Sequence, residues 1–281
     1  MRPGSPSLDV FVIENVPPEE PRRLDDEFPR ITMIRNAAPL GFSANHNQAI
    51  SLGTAPYHLV LNDDTIIPEG VVAGLVAFAE EHPRAGVISP RLVDPQGNER
   101  ERPTRFPSIW TEMWRSLPWE WVPGALRGYY PAARHRRAFQ PDRVTGACVL
   151  LRRAALRAVG AFDPAFFMYY EEPDLCRRMR ASGWEVWYVP DVHVTHVGAQ
   201  TVDRHMTTEW SQTHYYASRL RYFRKHHGAA AAAAMRASVL VIDSLRWLKW
   251  FFVWRVSRSH QSFARVRLAS AALRTYVVPT S

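Results

Sequence analysis

The stretch Tyr57-His58-Leu59-Val60-Leu61-Asn62-Asp63-Asp64-Thr65 sets the reading of the whole chain. A short, largely apolar run bounded by polar residues predicts a buried strand, so Asn62, Asp63 and Asp64 emerge at its carboxyl edge, where open α/β sheets bind ligands. Two adjacent carboxylates in a crevice repel each other unless a cation neutralises them. Hard oxygen donors of this kind suit Mg²⁺ or Mn²⁺ bridging to substrate phosphates. The same residue types also build turns and helix caps, so the tetrapeptide alone leaves both readings open.

Working outward, residues 8–13 form a short apolar strand ending in Glu14-Asn15, followed by a Pro- and acid-rich loop to about Asp26 and a second strand at 31–34. Gly41-Phe42-Ser43 opens a helix that runs through Ile50, with Ser43 as its expected cap. Beyond the acid-tipped strand, Pro68-Glu69 starts a helix whose apolar positions include Val71, Leu75 and Phe78. Strands alternating with helices predict an α/β fold with a largely parallel sheet. Residues 85–100 read as a strand and hairpin turning at Asp94-Pro95-Gln96-Gly97-Asn98. Residues 101–140, rich in Pro, Trp and Arg without a clear period, read as a long functional loop or lid.

The second half carries further candidates. Residues 144–151 form a strand whose small residues, Gly146 among them, let a ligand approach the backbone. Pro173 fits a first helical turn and places Glu171 and Glu172 at a helix amino end, where the dipole favours an ionised carboxylate able to act as a base. The competing role for these acids is to complement the dipole or to pair with Arg177 and Arg178. His193 and His196 lie three residues apart in an extended stretch after the strand at 185–189, so at most one of them points into a given site.

With 281 residues and 46% hydrophobic content the chain buries a full core, either as one large domain or as a domain with an appendage. Its 35 Lys and Arg against 27 Asp and Glu, a formal +8, favour an anionic partner. Two cysteines exclude a disulfide framework and a Cys-rich zinc site and fit a reducing compartment. The first residues show no secretory pattern, which points to the cytoplasm.

Taken in order, the segments Phe11 to Asn15, Asn36 to Asn47 around Gly41-Phe42, Leu61 to Thr65, Thr145 to Arg153, Gly160 to Arg178 and Pro190 to Gly198 resemble the family 2 nucleotide-sugar glycosyltransferases, in particular their rhamnosyltransferase-like bacterial branch. The resemblance covers residues 8–227. It implies a GT-A fold, a mixed and mostly parallel sheet flanked by helices, that binds a nucleotide-diphosphate sugar across the carboxyl edge of the sheet. It further implies that Glu14 accepts a hydrogen bond from a pyrimidine ring, that Asn15, Gly41, Asn45 and Gly146 contact the donor, and that the metal motif maps onto Asn62, Asp63 and Asp64. Asp64 and His196 are then the implied ligands of Mg²⁺ or Mn²⁺, and Glu172 the base of an inverting transfer. Trp184 and the Trp110, Trp114, Trp119 and Trp121 of the loop offer flat surfaces for sugar rings, or serve as packing anchors.

The chain departs from the family pattern in carrying Glu at positions 14 and 172, where Asp is usual, and Pro39 before the Gly-Phe pair. The family's first βα unit has no evident counterpart, so it is expected to be lacking here, either because the start is misplaced or because the chain is a degenerate copy. These departures leave a second reading open, a catalytically impaired sugar-nucleotide-binding homologue that acts as a scaffold.

A glycosyltransferase domain is therefore expected over 8–204 and a basic helical region over 205–281. In the latter, Asp243, Arg246 and Lys249 interrupt the apolar run at 239–255, which favours an interfacial helix with Trp at headgroup depth over a transmembrane span. Such a helix would hold the protein peripherally on the inner face of the cell membrane, beside a glycan or polyprenyl-linked acceptor used in cell-envelope polysaccharide synthesis. Packing on the catalytic domain or in a homodimer is the other use of that helix. Nucleic acid is disfavoured as a partner because no recognition motif accompanies the basic residues.

Overall fold

The computed structural model describes residues 6–15, 24–115, 122–198 and 208–277; Trp119 and Trp121 fall outside these ranges. In chain order the elements are β1 (Val10–Glu14), α1 (Leu24–Glu27), β2 (Ile31–Arg35), α2 (Phe42–Leu52), β3 (Tyr57–Leu61), β4 (Thr65–Ile66), α3 (Val71–Glu81), β5 (Ala85–Val93) and α4 (Ile109–Arg115). A 3₁₀ turn (Ala132–Arg136) leads to β6 (Cys148–Arg152), α5 (Arg153–Val159), α6 (Glu171–Ala181), β7 (Glu185–His196), α7 (Thr208–Ser257) and α8 (His260–Val277). The chain divides into two compact units: residues 1–106, 130–167 and 171–198 make the first, and 107–129, 168–170 and 199–281 the second.

The first unit is built on a five-stranded sheet in the order β3-β6-β5-β7-β4, with β1 and β2 forming a separate parallel pair. The sheet is mixed, as expected, but its parallel pairing is confined to β5 with β7. β6 runs antiparallel to both β3 and β5, and β4 antiparallel to β7. The reversal of β6 has a useful consequence. β3, β5 and β7 share one direction, so their carboxyl ends meet the amino end of β6 at a single edge. There Leu61 lies opposite Cys148, and the Asn62 N–H donates to the Ala147 carbonyl at 2.9 Å.

Period-two alternation sorts the strands onto two buried faces. Val60, Val87, Val149, Leu151 and Val186 pack with Leu156, Leu175 and Met179 on one side. Ile88, Leu150, Leu92 and Val194 pack with Leu75 and Ala79 of α3 on the other. Each fully buried Leu or Met contributes about 1.5–3 kcal/mol, which holds the sheet edge rigidly enough to carry a site. The hairpin after β5 forms as expected, with Asp94 Oδ1 accepting from the Gln96 and Asn98 N–H groups.

Three expectations are corrected. The 101–140 segment is not structureless: it contains α4 and the 3₁₀ turn, and isolated bridges join Thr104 to Arg143 and Phe139 to Tyr188. Ser43 does not cap α2. The cap position is Gly41, and the first helical N–H, that of Phe42, is satisfied by the Phe167 carbonyl at 2.7 Å. Trp184 packs against the core rather than presenting a platform.

In the second unit, Gly228 (φ 85°, ψ 173°) interrupts the helical backbone of α7 and divides it in two. Glu112 of α4 is buried, where its carboxylate accepts from the Tyr215 hydroxyl at 3.2 Å and meets Arg219 and Arg115, each at 3.4 Å. A buried acid is tolerable only when so compensated. The tryptophans of the apolar run turn towards α8: Trp247 donates to Ser270 Oγ at 3.0 Å, Trp254 meets the Phe263 ring at 5.3 Å, and Arg265 lies 4.2 Å over Trp250.

Candidate active site

The turn between β3 and β4 separates its two acids. Asp63 is exposed, while the Asp64 side chain, turned in against the end of β7, is 9% exposed. Asn62 serves the turn itself, its carbonyl accepting from the Thr65 hydroxyl at 2.6 Å. Asp64 instead faces His196, at the end of β7, with Oδ1 3.0 Å from Nε2. His193 is exposed, so one histidine of the two reaches this site, as the spacing predicts.

The opposite nitrogen of His196, Nδ1, lies 2.8 Å from Glu101 Oε2. The bond to Glu101 and the charges of both acids raise the imidazole pKa above its ordinary value, against the effect of burial. Glu101 was not among the sequence candidates. It sits in the charge run Glu99-Arg100-Glu101-Arg102, which reads as a solvated surface, and only folding of the hairpin back along β5 brings it to His196.

Glu172, at the start of α6, reaches the same sheet edge from another direction. Its Oε1 accepts the Gly146 N–H at 2.9 Å, two residues before β6 and next to the Ala147 carbonyl that binds Asn62. A Cβ on Gly146 would come within 2.6 Å of that oxygen. The open face of Gly146 thus admits the Glu172 carboxylate, a role different from the ligand approach expected of it. Burial raises the Glu172 pKa, with the Glu101 charge adding to the effect, while the Gly146 N–H and the nearby Arg143 guanidinium hold it back. Burial and the neighbouring Glu172 push Glu171 well above the usual carboxylate range. The predicted alternative of pairing with Arg178 is not taken: that guanidinium binds Asp174 at 2.8 Å and the Val159, Gly160 and Ala161 carbonyls.

Around the tip of β1 the candidate donor-binding residues form an amide network. Asn15 Oδ1 accepts from the Leu40 N–H (2.8 Å) and from Asn36 (3.2 Å), Asn36 donates to Asn45 Oδ1 (2.8 Å), and Gln48 donates to Asn36 Oδ1 (3.0 Å). Asn15 and Asn45 therefore shape the loop at 36–41, and Asn36 and Gln48, absent from the sequence candidates, complete it. Gly41 is needed because any Cβ there would collide with the Phe167 backbone. Glu14 pairs across the strands with Arg35, Oε2 to Nε 3.3 Å, and that buried oxygen has no well-formed hydrogen bond.

A divalent cation fits the Asp64–His196 pair. Asp64 Oδ1 and His196 Nε2 are both buried without a well-formed hydrogen bond, and their 3.0 Å separation suits two adjacent donors of one Mg²⁺- or Mn²⁺-sized ion at about 2.1 Å each. Among the described residues no three His, Cys, Asp or Glu side chains converge as a complete ligand set. The remaining coordination would fall to substrate phosphates and water, which is the ordinary arrangement for Mg²⁺.

A family model described as glycosyltransferase like family 2 matches residues 7–214. The chain is 26% identical over 258 residues to the N-acetylglucosaminyl-diphospho-decaprenol L-rhamnosyltransferase of Mycobacterium tuberculosis, covering 80% of each. Two solved structures share its fold at a TM-score of 0.52. The mannosyltransferase PcManGT of Pyrobaculum calidifontis, in complex with GDP-Man and Mn²⁺, is 12% identical over 96% of this chain and 76% of that one. GalNAc-T7 with UDP, GalNAc and Mn²⁺ is 14% identical over 75% and 41%. A matched segment running from before β1 into α7, together with the mixed sheet and its acid-lined edge, places this chain in glycosyltransferase family 2, with the GT-A fold.

Proposed function

We propose that the protein is an inverting, metal-dependent hexosyltransferase that moves a sugar from a nucleotide-diphosphate donor to a polyprenyl-linked glycan acceptor on the inner face of the cell membrane. Rhamnose is the sugar suggested by the Mycobacterium tuberculosis relative, whose name also supplies the lipid-linked acceptor. The observation that carries the reading is the convergence on one sheet edge of the Asp64–His196 pair and of Glu172, a carboxylate held by the Gly146 amide.

The chemistry follows from those groups. Glu172 takes the proton of the acceptor hydroxyl as its oxygen forms a bond to the anomeric carbon and the bond from that carbon to the diphosphate breaks. One displacement inverts the configuration. A base must be ionised to act, so the raised pKa of Glu172 keeps it nearer the working pH than an ordinary carboxylate. Asp64 and His196 would hold the divalent ion, which supplies charge neutralisation on the leaving diphosphate. Glu14, at the tip of β1, would accept a hydrogen bond from the nucleobase, as the family resemblance implies.

Transfer of radiolabelled sugar from a panel of nucleotide donors, with Mn²⁺, tests this. Glu172→Gln is expected to lose about 10²- to 10⁴-fold in transfer while still binding donor. Asp64→Asn is expected to lose Mn²⁺-dependent donor binding. The acid limb of the rate profile should lie above the ordinary carboxylate value of about 4.3, with activity rising as pH rises through it. Donor binding by the wild type without turnover on any donor would favour the scaffold reading instead.

A further inference from the structure

We infer that the segment of α7 after Gly228 docks onto an anionic lipid bilayer through one defined stripe, Val241, Leu245, Leu248, Phe252 and Val256, lying parallel to the membrane plane. The inference deepens the membrane-surface part of the proposed function and rests on it.

The stripe is a geometric feature that the sequence pattern hides, because both faces of this helix are apolar. On one face Met235, Val239 and Asp243 are buried, and Trp247, Trp250 and Trp254 meet α8 through Ser270, Arg265 and Phe263. On the other, Val241 (60% exposed), Leu245 (61%), Leu248 (46%), Phe252 (65%) and Val256 (88%) recur every three or four residues and so form one continuous line. Large side chains left this open in a row mark an interaction surface rather than scattered exposure.

Charge selects the occupant. At about 100° per residue, Lys249 falls about 80° to one side of Val241 and Arg255 about 40° to the other, and both are exposed. Between 229 and 257 the one acid is Asp243, buried and bonded to Arg246 at 3.1 Å on the face opposite the stripe. A second copy of this chain would bring Lys249 and Arg255 against their own kind with no carboxylate between them, whereas anionic headgroups complement both margins. By length and composition Glu209–Ser257 is apolar enough to cross a bilayer. Its partner helix argues for the surface instead: α8 presents the exposed side chains of Arg267 and Arg274, paired with Glu209, and could not follow α7 into hydrocarbon.

The test uses the full chain and co-sedimentation with phosphatidylcholine vesicles, with and without about 30% phosphatidylglycerol, an anionic headgroup. The wild type should bind the anionic vesicles. Leu245→Gln, Leu248→Gln and Phe252→Gln combined, which leave the net charge unchanged, should weaken binding by more than about tenfold with donor hydrolysis unaffected. Undiminished binding by that variant would overturn the stripe while leaving membrane association standing; no binding by the wild type would overturn both. Depth is read by placing a fluorophore on Val241→Cys or Val256→Cys, since Cys148 and Cys176 are buried. Equal depths support a surface helix. A difference of about 20 Å, the axial distance between the two positions, would mean a spanning helix and overturn the proposal. A lipid-free dimer by sedimentation that the triple variant abolishes would assign the stripe to self-association instead.

Discussion

At the scale of single residues, the site turns on positions where one side chain dictates what its neighbour can be. Gly146 is the clearest: the Glu172 carboxylate occupies the space that any Cβ would fill, so Gly146→Ala must push that carboxylate off the amide that holds it. The expected outcome is a fall in kcat of about 10²-fold with donor affinity nearly unchanged, measured by steady-state transfer kinetics. Glu101 acts at one remove. By accepting from His196 Nδ1 it sets the ring orientation and leaves Nε2 directed at Asp64. Glu101→Ala should weaken Mn²⁺ binding about 10- to 100-fold in a titration followed by electron paramagnetic resonance, with Glu101→Gln recovering part of the loss. The sequence exposed Asp64, His196 and Glu172 because each belongs to an ordered motif. It concealed Glu101 and Gln48, which lie outside those motifs and meet partners on other segments of the chain.

At the scale of elements, α2 ties the tip of β1 to the loop that precedes α6. Its Asn47 exchanges hydrogen bonds with Phe162 at 2.7 and 3.1 Å, and His46 joins a cluster with the Phe42 and Phe162 rings, 4.2 and 6.1 Å away, which are 5.7 Å from each other. Burial lowers the His46 pKa from 6.5 to about 4. The folded protein therefore keeps this ring neutral over a range in which the unfolded chain protonates it. Stability is full above pH 6.5 and falls as pH drops towards 4, by up to about 3 kcal/mol at 1.36 kcal/mol per unit. Chemical denaturation at pH 7 and pH 4.5 should show the loss, and His46→Leu should reduce it. The helix and its start were legible from Gly41-Phe42-Ser43, but its cap was not. The cap position falls to Gly41, which has no side chain to accept, and the first helical N–H, that of Phe42, is taken by the Phe167 carbonyl, more than a hundred residues away; no local pattern encodes that contact.

At the scale of the whole molecule, a ligand that binds only the folded state stabilises it by mass action. Nucleoside diphosphate with Mn²⁺, at about one hundred times its Kd, should contribute about 2.7 kcal/mol and raise Tm by about 5 °C. Asp64→Asn should abolish the metal-dependent part of the shift in differential scanning fluorimetry. From the residue pattern alone came the α/β alternation, the acid at the end of β3, the carboxylates opening α6 and the apolar helix near the chain's end, because each depends on local periodicity and on residue types at short spacing. The direction of β6, the parting of Asp63 from Asp64, the seating of Glu172 on Gly146 and the choice of which face of α7 stays open were settled by tertiary packing. Each of these depends on contacts between segments distant along the chain, and hydrophobic burial, which drives such contacts, carries no directional information that a local pattern could record.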